Sequence, residues 1–256
     1  MTEHVLTGLE DGVLTLRLDR LDKKNALTPA MYTALARALE AADADPQVRV
    51  VVLTGGPDCF TSGNDISDFL ETPPADQTNP VFTFMWALFD LEKPVVAAVA
   101  GPAVGIGTTL LLHCDLVYVA QDAVLRMPFV NLGLCPEYGS SLVVPRLVGH
   151  ARAARLLLLS EVFSGQQAAE WGIASEALDD GPATLVRAQE AARALAALAP
   201  GAVTDSKRLM RAPGREELRR VITEEGDVFA QRLRSPEAVE ALSAFVERRV
   251  PDFSSF

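Results

Sequence analysis

The feature that most constrains this chain is an alternation of short β-branched runs with helical segments, joined by glycine-containing turns. Residues 12–18 (GVLTLRL) and 48–54 (VRVVVLT) have strand composition. Between them, Thr28-Pro29 is a helix start, with an N-cap hydroxyl and a proline at the first helical position. Met31, Leu35, Ala38, Leu39 and Ala42 then recur at helical spacing. A strand at 95–100, a Gly-rich turn, an apolar helix over 106–113 and a strand at 116–119 follow. Such alternation predicts an α/β core with parallel pairing. Beyond about residue 151 the pattern turns helical. Residues 183–199 are Ala/Leu-rich, and Leu218, Val221, Ile222, Val228, Phe229 and Leu233 mark another helix. Ser235-Pro236 starts a third with N-cap chemistry. The division is placed at residue 200, giving a core over 1–200 and a helical region over 201–256. Residues 71–80 (ETPPADQTNP) read as a loop.

Composition narrows the function. The 256 residues are 49% hydrophobic and 22% charged, which suits one large domain with a packed core. The net charge of −11 argues against non-specific binding to nucleic acid or to an anionic membrane. The apolar stretches are broken within the roughly 18 residues that a membrane span needs. Three cysteines and three scattered histidines give neither a disulfide framework nor a metal-binding spacing. No apolar targeting core is visible near the N-terminus. The expectation is a cytoplasmic protein without a metal site.

Two glycine segments carry the chemistry: CFTSGNDI at 59–66 and GPAVGIGTT at 101–109. Neither is a dinucleotide fingerprint or a P-loop. Each alone is compatible with a plain tight turn. Strand-to-helix junctions also present unpaired N–H groups at a positive helix end, and two facing junctions would make an oxyanion hole.

Here the chain resembles a known family. CFTSGNDI is similar to the F-S/A-x-G-x-D-I/L motif of the enoyl-CoA hydratase/isomerase (crotonase) superfamily. KPVVAAVAGPAVGIGTTLLLHCDLVYVA resembles its central segment, DRLDKKNALTPAMYTAL its N-terminal CoA segment, and FSGQQAAEWGIASEAL its downstream stretch. The resemblance runs collinearly from about Leu16 to Lys207. It implies a crotonase-like core of stacked ββα turns with a C-terminal helical part. It also implies an acyl-CoA thioester substrate, whose CoA moiety leaves no separate cofactor to expect. Carried over, the backbone N–H groups of Asn64 and Ile106 would hold the thioester oxygen. Lys23 and Lys24 match the basic position that meets CoA phosphates, though surface lysines are common. Ala26 and Ile66 match main-chain contacts to the adenine, with Ser62, Gly63 and Asp65 in the same CoA-binding stretch. Asp65 in the family orders a loop.

The departures are informative. Hydratases of this family use two glutamates, and the matching positions here are Thr109 and Phe129. Two neutral side chains cannot activate water and protonate carbon. Instead MPFVNLGLCPEYGSS, residues 127–141, resembles the segment of peroxisomal-type monofunctional Δ3-Δ2-enoyl-CoA isomerases, in which a glutamate after proline is the acid/base. That residue is Glu137; without the resemblance it reads as a solvated loop glutamate. With an ordinary pKa of about 4.3 it would be ionised at neutral pH and ready as a base. Phe82 and Trp86, with Phe129, would wall an acyl pocket, although a helix core face explains the first two equally. His113 reads as a packed histidine. The expected reaction moves the double bond of a 3-enoyl-CoA to trans-2-enoyl-CoA, serving β-oxidation. The alternatives are a hydratase or other crotonase-family reaction, and, from another class, an inactive acyl-CoA-binding scaffold. The family resemblance further implies a homotrimer or dimer of trimers held by the C-terminal helices.

Overall fold

The computed structural model describes residues 4–71 and 78–256. The chain opens on a hairpin, β1 (Val5–Glu10) and β2 (Val13–Leu18), paired antiparallel. Asp11 and Gly12 turn it with φ of +49° and +78°, the left-handed pair that suits the strand twist. In α1 (Pro29–Ala44) Thr28 accepts the Met31 amide, and Met31, Tyr32, Leu35, Leu39 and Ala42 are buried. Ala38 is only half-buried, and Ala36 takes the inner position. Then come β3 (Val50–Thr54), α2 (Ile66–Glu71), α3 (Pro80–Asp90), β4 (Val95–Val99), β5 (Pro102–Val104) and α4 (Ile106–Thr109). β6 (Leu116–Ala120) and β7 (Val124–Arg126) precede α5 (Ser140–Val148) and α6 (His150–Leu158). After β8 (Phe163–Ser164), α7 (Gly165–Glu170) and β9 (Glu176–Leu178), the chain is helical: α8 (Gly181–Ala196), α9 (Pro200–Arg211), α10 (Arg215–Leu233) and α11 (Pro236–Glu247).

The main sheet has the order β1-β2-β3-β4-β6-β9 and is parallel from β2 onward. All ten residues of β3 and β4 are buried, because a parallel sheet is covered on both faces. The pleat separates the two covers. Val50, Val52, Val96 and Ala98 meet Ala188, Ala191 and Ala192 of α8. Val51, Leu53, Val95, Ala97 and Val99 face the larger core with α1 and α3.

A second sheet, β5-β7-β8, lies beside the first. The strand pair β4 and β5 leads into α4, and β6 and β7 repeat the passage from the main sheet to the small one. Thr61 joins the small layer through a parallel bridge to Ala103. These are stacked ββα turns, as the resemblance implies, with a helical C-terminal part. The division expected at residue 200 falls at Pro200, the first residue of α9. Ile222, Phe229, Leu233, Ala238 and Leu242 nevertheless belong to the same apolar core as the sheet.

Two expectations need correction or restriction. The helix over 106–113 is α-helical only to Thr109 and continues as a tighter 3-10 turn over Leu110–His113. The loop expected at 71–80 lies for most of its length outside the described residues. No helix among those described is long and apolar enough to cross a membrane.

Candidate active site

The two glycine segments meet edge to edge. The Thr61 amide donates to Pro102 O (2.9 Å) and Val104 N to Thr61 O (3.1 Å). Gly63, at φ +89°, passes so close that a Cβ there would lie 2.6 Å from Val104 O. Only glycine satisfies both conditions. On its other side the first segment is held by Leu27, which donates to Gly63 O (2.8 Å) and accepts from Asp65 N (3.0 Å). That bridging pattern turns the Asn64 peptide groups away from Leu27. Ile106 is the first residue of α4 and follows Gly105, at φ +57°, so its amide is one that no intrahelical carbonyl can reach. Among the described residues neither the Asn64 nor the Ile106 amide donates to a protein acceptor.

Glu137 stands on the loop before α5. It is 6% exposed. Thr109, three residues beyond Ile106 on α4, donates its hydroxyl to Glu137 Oε1 over a long 3.4 Å. The position that carries a carboxylate in hydratases therefore holds a hydroxyl facing this carboxylate. Glu137 lines a cavity with Val81, Phe82, Met85, Tyr138, Ile222, Gly226 and Phe229. Among the described residues it is the only carboxyl side chain of that lining. The cavity is tight in this structure, with a volume of about 10 Å³, room for about one water molecule. Burial, then the nearby Glu225 charge, push the Glu137 carboxyl up to about 8, against a weaker opposing effect of the Thr109 hydrogen bond. The ordinary carboxylate expected from sequence is thereby corrected: water cannot solvate the anion here. Tyr32, buried on α1, donates to Asn64 Oδ1, and its hydroxyl is held neutral by burial and then by the Glu137 charge. Glu137, Tyr32 and the Asn64 side chain thus share one neighbourhood.

The aromatic candidates divide. Phe82 lines the cavity. Phe129 is buried and meets Phe229, a lining residue, edge-on at 6.5 Å. Trp86 is not in the lining. It packs edge-on against Phe89 and under the Arg219 guanidinium, because the outer face of α3 turns toward α10. His113 is a packed residue: buried, stacked on Tyr138 at 3.7 Å, and bonded through Nε2 to Tyr138 O. Burial holds it down to about 3, so it is neutral.

The CoA candidates lie on and around the Leu27 bridge. Lys23 and Lys24 are exposed, with no ion pair among the described residues. Ser62 donates its amide to Lys24 O (2.9 Å). Ile66 opens α2 and is half-buried. The Ala26 carbonyl accepts from Arg20 (2.9 Å), which also pairs with Asp65 (2.7 Å). Burial would push the Asp65 carboxyl up, but the Arg20 hydrogen bond and charge outweigh it and hold the group below its usual range. Asp65 therefore orders the loop. Sequence reasoning missed Asn25, fully buried, whose amide ties Cys59 O and Phe60 O to this turn. It also missed Tyr32 and Glu225, which carry no local signal because their partners are distant in sequence.

Comparison with known proteins supplies the family. The enoyl-CoA hydratase/isomerase family profile matches residues 8–255. The chain belongs to the enoyl-CoA hydratase/isomerase family. Among curated proteins, 1,2-epoxyphenylacetyl-CoA isomerase of Escherichia coli K12 is 35% identical over 99% of both chains. Human enoyl-CoA delta isomerase 2 is 34% identical over 96% of this chain, which spans 64% of that protein's length. The solved structure of Pseudomonas aeruginosa OdaA superposes with a TM-score of 0.95 at 64% identity, covering 96% of this chain and all of that one. An enzyme of this family is thus established, with the crotonase fold.

Proposed function

We propose that this enzyme isomerises 3-enoyl-CoA to trans-2-enoyl-CoA with Glu137 as its acid/base. The observation that carries the reading is a lone carboxylate in an apolar cavity, beside the helix that starts at Ile106. The substrate thioester oxygen lies between the Asn64 and Ile106 amides. Ionised Glu137 removes the C2 proton, and the electron pair moves through the thioester into a dienolate whose oxygen the two amides stabilise. The same carboxyl returns the proton at C4. No group other than Glu137 is needed for proton transfer. A carboxyl raised to about 8 is a stronger base than an ordinary glutamate. Phe82, Phe129 and Phe229 keep water from the dienolate, which disfavours hydration. Lys23 and Lys24 meet the CoA phosphates, with Ala26, Ser62, Gly63 and Ile66 alongside the nucleotide.

The test is a parallel assay of purified protein with 3-enoyl-CoA and 2-enoyl-CoA. Isomerisation should be fast and hydration much slower; comparable formation of 3-hydroxyacyl-CoA would sink the reading. Glu137→Gln should lower turnover about 10²–10⁴-fold, the usual worth of general acid–base catalysis, with CoA binding kept. 1,2-Epoxyphenylacetyl-CoA belongs in the same assay, because the relative named for it matches along its whole length. The same reading includes a trimer or dimer of trimers and a cytoplasmic location.

A further inference from the structure

Glu225 lies on α10, 8% exposed, far from Glu137 in sequence. Its two carboxylate oxygens accept from the Gly139 amide and from the Ser141 amide (2.9 Å). These amides lie at the start of α5, whose N-cap residue Gly139 offers no side-chain cap of its own. An anion at a helix N-terminus is favourable, and here it arrives from another helix. The capped segment directly follows Glu137. It contains two consecutive left-handed residues, Tyr138 at φ +56° and Gly139 at φ +78°. For tyrosine this conformation is unfavourable and persists only where surroundings impose it. Tyr138 is further pinned by the His113 stack and by its own hydroxyl, which donates to Met85 O (2.7 Å). The turn that carries Glu137 is thus held from three sides.

We propose that Glu225 is a positioning residue for Glu137, clamping the Glu137–Ser141 turn so that the Glu137 carboxylate faces the cavity. This rests on the reading of Glu137 as the acid/base. The charge effect agrees in direction: Glu225 raises Glu137 beyond what burial does, while burial raises the Glu225 carboxyl itself, against the hydrogen bonds from Ser141 and Gly139 that lower it. The other groups around Glu137 stay uncharged through the neutral range. Tyr32 on α1 and the neighbouring Tyr138 are raised well above their usual range by burial. Burial pushes Cys135 in the same loop up to about 11, and His113 is held down to about 3. α3 contributes Val81, Phe82 and Met85 to the lining, and from α4 the Thr109 hydroxyl donates to the Glu137 carboxyl. Nearby Arg232 is paired with Glu237, and Asp90 with Arg215 and Arg219.

The experiment compares wild type, Glu225→Gln, Glu225→Asp and Glu137→Gln with 3-enoyl-CoA across pH 5–10. Glu225→Gln removes the charge and one acceptor. Its kcat should fall about 10–100-fold, as a misplaced reacting group does, with KM changed about twofold or less. The acid limb of kcat/KM, which reports the free base, should move to lower pH by about one unit. A merely structural role would not move that limb. Glu225→Asp keeps the charge on a shorter arm, so kcat should fall while the limb stays near wild type. If Glu137→Gln is inactive but Glu225→Gln matches wild type in kcat and limb, the role of Glu225 is overturned and the reading of Glu137 stands. If Glu137→Gln keeps its turnover, that reading falls and takes the proposal with it. Should Glu225→Gln fail to fold, carboxyl ¹³C NMR decides. In folded wild type the Glu225 carboxyl should ionise at lower pH than Glu137, so that its charge is present when Glu137 titrates; a Glu137 that ionises first refutes the coupling.

Discussion

Glu137 is the residue where location overrides intrinsic chemistry. Unfolded, its carboxyl ionises near 4.5; folded, near 8. Between those values the native state holds a proton that the unfolded chain has released. Stability therefore declines as pH rises through this window, by up to about 1.4 kcal/mol per pH unit, and levels off above pH 8. Glu137→Gln cannot ionise and should abolish this slope. Its melting temperature should exceed that of wild type at pH 8 and differ little at pH 4.5. Equal pH dependence in both proteins would show that Glu137 is not held protonated. The identity of this glutamate was legible in its motif. Its proton affinity was not, because the residues that desolvate it, Val81, Phe82, Ile222 and Phe229, come from two helices remote in sequence. Glu225 had no signal at all: a glutamate on an exposed-looking helix reveals nothing of amides 84 and 86 residues away.

At the scale of elements, legibility followed burial. β3 and β4 are covered on both faces and spell continuous apolar runs, so they were readable. β1 buries only Val5, and β5, β7 and β8 have two or three residues, too short to show a period. The two glycine segments were visible as turns, but their contact was not. That contact makes a contrast between glycines. Gly63→Ala must strain a φ of +89° and drive a methyl to 2.6 Å from Val104 O. Gly172→Ala meets a similar φ of +77° with nothing within 4 Å. Both should lose about 1 kcal/mol or more from the left-handed backbone. Only Gly63→Ala should also lose most activity, since it separates the Asn64 and Ile106 turns. Thermal melts with turnover measured on the same samples separate these outcomes; a fully active Gly63→Ala would mean the turns need not touch. Thr28→Ala should cost about 1 kcal/mol through the lost cap on Met31 N, with activity kept.

At the scale of the molecule, the C-terminal helices face two ways. They carry Leu209, Val228 and Phe245 alongside Ile222, Phe229, Leu233 and Leu242. Folded, Ile222, Phe229, Leu233 and Leu242 are buried against the core, and Ile222, Gly226 and Phe229 close the cavity over Glu137. Leu209, Met210, Val228, Val239, Phe245 and Val246 remain outside, Met210 at 81% exposure and Leu209 at 63%. The proposed occupant of this outer surface is a second copy of the chain. Two manipulations then have different consequences. Met210→Asp with Phe245→Asp touches only the outer face. Light scattering should give three or six chains for wild type and a smaller mass for this double variant, with the fold retained by circular dichroism. Removing residues 201–256 would instead strip the cavity of three lining residues and the α5 turn of its Glu225 cap. That shortened chain should lose soluble folded protein altogether. A monomeric wild type would refute the assembly. A shortened chain that folds and turns over substrate would show that the inward face is dispensable, against the burial of Ile222 at 1% exposure.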